Sequence, residues 1–91
     1  MKDLPPKLVH YKTTPLFDGA SVPAGLLRNH TTAAGVWGRI VVHEGCLRYL
    51  IEAPAAEEHL LVPGAPGIVE PQVPHHVALH GPVRFCVEFY R

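Results

Sequence analysis

An all-β domain, a small barrel or sandwich of short antiparallel strands, is what this sequence predicts, and three observations carry the prediction. Ten prolines and eight glycines are spread over 91 residues, leaving no window of about 11–18 residues with unbroken helical periodicity. β-Branched and aromatic residues gather in short runs bounded by glycine and proline, the mark of strands. Those runs recur roughly every 8 to 12 residues, the spacing of a sandwich or barrel. A chain of this length supports one domain, residues 1–91, with a single core.

Taken in order, residues 8–11 and 26–30 are the weakest strand candidates. Residues 36–43 (VWGRIVVH) and 46–52 (CLRYLIE) flank Glu44-Gly45, a pair suited to a hairpin because glycine accepts positive φ. Residues 52–58 contain Pro54 and too few helix formers for more than a turn, so they read as a loop. Residues 59–62 end at Pro63-Gly64, and 67–70 end at Pro71. Residues 76–80 (HVALH) and 83–90 (VRFCVEFY) flank Gly81-Pro82, a second expected hairpin. The last strand alternates: Val83, Phe85, Val87 and Phe89 make one face, Arg84, Cys86, Glu88 and Tyr90 the other.

Composition excludes several functions. Eight Lys and Arg balance eight Asp and Glu, and the basic residues are scattered singly, so no row of phosphates is matched and nucleic acid is not an expected partner. No run approaches the roughly 18 apolar residues that span a bilayer, and the first residues lack the apolar core of a signal peptide. The two cysteines, Cys46 and Cys86, form no C-x-x-C pair and read as reduced core thiols. A cytoplasmic protein with no membrane partner is the expectation. Charged residues make up only 18% against 47% hydrophobic, a shortage that suggests a homodimer covering apolar surface. No G-x-S-x-G elbow or activated cysteine points to covalent catalysis.

Seven histidines are the chemical signal. Imidazole is the commonest ligand of zinc, iron, nickel and copper, and with no H-E-x-x-H present a metal site would have to be assembled across strands. Reading residues 80–83 as a hairpin gives an odd cross-strand sum, which puts His76 on the Val/Phe face and turns its neighbour His75 away.

The segment His30-x-Thr32, Gly35-Val36-Trp37-Gly38-Arg39 and Glu44-Gly45 resembles the first motif of the cupins. Thr32 stands where the second histidine belongs, and nothing acidic falls near Trp37. Gly64 to His76 resembles the second motif, with Pro71 and His76 correctly spaced and Val73 in place of a glycine. More closely, residues 23–90 resemble the small cupin-like domain of the tellurite-resistance protein B family, through H-x-T-x-x-G-V-W-G-R, E-G-x-L-R-Y, P-x-x-x-x-H and F-x-V-E-F-Y in that order. The resemblance implies a cupin-like β-barrel or jelly-roll sandwich and a part in tellurite, oxyanion or metal stress. Relatives that carry a methyltransferase domain do so outside this region.

On this reading His30 and His76 would hold a divalent transition metal, with zinc, iron, nickel and copper not distinguished. Glu88 would complete a two-histidine, one-carboxylate set of the kind that suits iron(II), although strand parity puts it on the opposite face unless a bulge intervenes. Trp37 and Arg39, two residues apart on one face, would wall a pocket for a small anionic ligand, the guanidinium clamping a carboxylate. The competing expectations are a metal-free cupin acting as a binding or interaction module, which the missing first-motif ligands favour, and a small dioxygenase or isomerase.

Overall fold

Two long strands dominate the computed structural model, which describes residues 1–91. The strands are β1 (His10–Thr13), β2 (Trp37–Ile51), β3 (Glu57–Leu61), β4 (Gly67–Val69) and β5 (His75–Tyr90), with one 3-10 turn at Ala24–Leu27. The all-β prediction holds. The sheet is antiparallel with order β1-β5-β2-β3, β4 also pairing with β2. It is open: β1 and β3 are edges that do not pair with each other, so the expected closed barrel does not form.

β2 and β5 pair along almost their whole length, from Trp37 opposite Tyr90 to Ile51 opposite His75. This corrects the two expected hairpins. Glu44-Gly45 and Gly81-Pro82 do not reverse the chain; they lie opposite each other, near the Gly45–Val83 pair, where the register shifts. The paired irregularities crease one long ribbon into two leaves. The first leaf holds β1, β4, the start of β2 and the end of β5. The second holds β3, the end of β2 and the start of β5. At the crease Gly45 has φ +76, and a side chain there would overlap the Pro82 carbonyl oxygen, so only glycine fits.

The crease also sets which residues face inward. Between Val42 and Glu44 β2 advances two residues while β5 retreats one, a one-residue bulge that flips the alternation of β2. Val42 and Ile40 are therefore buried before it, and Leu47, Tyr49 and Ile51 after it. Between Gly45 and Leu47, β5 spends two extra residues on its side; an even insertion leaves its alternation intact, so Val77, Val83, Phe85 and Val87 share the core. The leaves meet over that core. The Tyr49 hydroxyl on the second leaf donates to the Ile68 carbonyl on the first at 2.9 Å, and a Cβ on Gly67 would strike Leu61 and Tyr49.

Shorter turns behave as predicted. Pro63 and Gly64, with φ +84 at the glycine, close a turn in which the Ala65 amide donates to the Val62 carbonyl at 2.9 Å. The loop of residues 14–30 runs along the free edge of β5, held by Phe17 opposite Phe85 and His30 opposite His75. No helix is long and apolar enough to cross a membrane.

Candidate functional site

A cavity of about 590 Å³ lies between the leaves. Ile40, Val77, Phe85 and Val87 form its floor, and Leu26 and Val36, from the loops before β2, close one side. Its rim carries the exposed Tyr11, Lys12, Thr31 and Ala33. The lining is mostly apolar, and its polar members include Thr14, Thr32 and two imidazoles, His30 and His75.

These two rings sit 4.1 Å apart, centroid to centroid, tilted by 57°. The backbone positions them. His30 and His75 exchange both amide–carbonyl hydrogen bonds, at 2.9 and 3.0 Å, which puts their side chains side by side on one face. Each ring is then fixed by its own local bond: His30 Nδ1 lies 2.9 Å from the Arg28 carbonyl oxygen, and His75 Nδ1 lies 2.9 Å from that of Val73. A carbonyl only accepts, so each Nδ1 carries the proton and each neutral ring keeps its lone pair on Nε2. His75 is 3% exposed. Burial holds its pKa below the ordinary histidine value, opposed by the Val73 carbonyl and reinforced by the nearby His30 and His76. At neutral pH it is an uncharged acceptor.

The other expected site residues lie elsewhere. His76 is on the outer face, not in the core: its Nδ1 is 2.8 Å from Asn29 Oδ1 and 3.1 Å from Glu52 Oε1. The parity that assigned it inward assumed a hairpin at residues 80–83; in a continuous strand His75 falls in step with Val77 and His76 with Ala78. That step was readable in the local pattern His75-x-Val77-x-Leu79. Glu88 is also on the outer face, where it accepts from Arg39 Nε at 2.8 Å, from Arg39 Nη2 at 2.7 Å and from the Tyr90 hydroxyl at 3.0 Å. Burial would raise its carboxyl, but the Arg39 and Tyr90 hydrogen bonds outweigh it and hold the pKa below the usual range.

His30, His76 and Glu88 therefore do not converge, and no three His, Cys, Asp or Glu side chains are grouped to hold a metal ion. Arg39 is committed to Glu88 and lies on a small outer cavity of about 230 Å³. Trp37 shares its face, so neither residue borders the space between the leaves. His43 Nε2 approaches the Cys86 sulfur at 3.7 Å, but burial pushes that thiol up, and it stays protonated. Both cysteines are free.

What the arrangement offers chemically is a pair of imidazoles whose Nε2 atoms are the ones free to accept, at one side of a mostly apolar chamber. Two imidazoles supply fewer ligands than the three or four that hold a resident mononuclear metal, so the residues present do not by themselves make a metal centre.

Known proteins share this architecture. A protein from E. coli strain K12 superimposes with a TM-score of 0.88 at 24% identity, over 100% of this chain and 97% of that one, a likeness of fold. TehB from Haemophilus influenzae superimposes with a TM-score of 0.82 at 29% identity, over 93% of this chain. The match takes in 32% of TehB, so this chain spans about a third of that protein's length. No curated protein matches. The family model for the TehB-like domain matches residues 12–87, most of the sequence. The chain belongs to the TehB-like domain family.

Proposed function

We propose that the chain is a cupin-type binding module that takes a small organic molecule between its leaves, with His30 and His75 as the polar contact. The observation that supports this reading most is the pairing of two orientation-locked imidazoles inside a cavity whose lining is mostly apolar. Small-molecule sites have this character: about 300–1,000 Å³, mostly apolar, with a few placed polar groups. The Nε2 atoms would accept hydrogen bonds from a hydroxyl or amide of the ligand.

The lining argues for an organic ligand over a bare oxyanion, whose hydration the apolar floor could not replace. A part in tellurite or oxyanion stress, which family membership implies, would then run through an organic molecule. Reduced cysteines suit a cytoplasmic setting.

A divalent transition metal is the second reading, favoured by the two free Nε2 lone pairs. It needs the bound molecule or water to supply the remaining ligands. Elemental analysis after metal-replete purification separates the two. The binding-module reading expects substoichiometric zinc, iron, nickel and copper, and a melting temperature unchanged by chelator. One equivalent of metal that disappears in both His30→Ala and His75→Ala would establish the second reading instead.

A further inference from the structure

Charge around the cavity is one-sided. No acidic side chain lines it, and Lys12 is its single lining residue with a permanent charge. Lys12, exposed at the rim, shares a face with its partner Phe89, which packs against the core, since directly paired residues share a face. Its ammonium has no carboxylate partner, as is also true of Lys7, Arg28 and Arg91, whereas Lys2, Arg39, Arg48 and Arg84 each have one, in Glu70, Glu88, Glu58 and Glu44. At the same rim the Arg91 guanidinium stacks 4.0 Å above the Tyr11 ring, adding a second cation beside the mouth. The nearest strand carboxylate, Glu88 opposite Thr13, is turned to the outer face and neutralised by Arg39.

The two polar features lie on different leaves. Lys12 belongs to the first, in the row with Phe89 and Gly38, next to the end row of His10, Tyr90 and Trp37. His30 and His75 belong to the second, in the end row with Ile51. Phe85, Val77 and Leu26 line the same cavity. An occupant that satisfies both features carries an anion, an apolar body and a hydrogen-bond donor.

We propose that the ligand is an organic acid with a single carboxylate seated on Lys12, a flat or branched apolar body between the leaves, and a hydroxyl-type donor reaching the His30–His75 pair. This rests on the binding-module reading and narrows it to a substrate class. A lone lysine at a wet rim is screened, so its contribution is modest, roughly five- to tenfold in affinity.

The test uses 6-hydroxy-2-naphthoate and its neutral counterpart 6-hydroxy-2-naphthamide, titrated into isotopically labelled protein and followed at the Phe85 and Val77 signals. The expected result is that both probes shift those signals, that the carboxylate binds roughly five- to tenfold tighter, and that Lys12→Gln removes the difference. Arg84→Gln, an exposed charge loss at the crease, should keep it. Equal affinities in the native protein, or a preference that survives Lys12→Gln, would overturn the acid proposal and leave the binding module standing. If neither probe moves the cavity signals, both readings fall together.

Discussion

His75 and Tyr49 are the polar side chains admitted to the interior, and each is there on the condition that its polar atom is satisfied. Tyr49 is 1% exposed and spans the leaves through its bond to Ile68. Burial pushes its phenol up, so it remains a donor through alkaline conditions. His75 satisfies Nδ1 on Val73 but has no carboxylate to stabilise a positive charge. Its folded pKa lies below the unfolded value near 6.5, so below that pH the unfolded chain binds the proton first. Stability should be level above about pH 6.5 and fall as pH drops below it, by up to about 1.4 kcal/mol per pH unit for this one group. Urea titrations at several pH values check this against His75→Phe, whose curve should be flatter over the same window. An identical slope in the two proteins would show that His75 is not desolvated.

At the scale of elements, the crease is the device that makes a cavity out of a two-stranded ribbon. Its two glycines are unequal. A side chain at Gly45 combines a φ of +76 with overlap on the Pro82 carbonyl; Gly81 has a φ of +84 but open space around it. Gly45→Ala should therefore cost about 3 kcal/mol or more, strain and overlap together, while Gly81→Ala should cost only about 1–2 kcal/mol for the left-handed backbone. Urea midpoints measure both. Equal losses would mean that the Gly45–Pro82 approach relaxes freely and that the crease is not held there. The Arg39–Glu88 pair, by contrast, lies on the outer face and partly in solvent, where such pairs contribute little. Its role is to turn both charges away from the interior.

For the whole molecule, the accessible surface is 5225 Å² for 10.0 kDa, close to the roughly 5,200 Å² expected of a compact monomer of that mass. The radius of gyration of 12.1 Å likewise matches about 12 Å for a folded chain of this length. The single chain is thus compact, and the homodimer expected from the shortage of charge would associate through its exposed surface. Val9 and Leu60, 66% and 55% exposed, are the most exposed of the large apolar side chains. Sedimentation velocity at tens of micromolar decides the matter: association predicts a species of about twice the chain mass, and a concentration-independent monomer removes it.

The fold class was legible because punctuation by proline and glycine and the β-rich runs are local properties, and local sterics do not depend on what lies across the sheet. His30, singled out through its motif, does line the cavity. What the local signal at Glu44-Gly45 and Gly81-Pro82 could convey was only that the backbone bends there with positive φ. Whether each bend reverses a chain or creases a ribbon depends on what pairs opposite it, and here each bend pairs with the other, about forty residues away in sequence. That single non-local fact transfers the buried histidine from position 76 to 75, since an even insertion preserves alternation and a reversed hairpin does not. It also opens between the leaves the cavity that the linear pattern of residues could not locate, whereas the outward turn of Glu88 was already given by the alternation of the last strand.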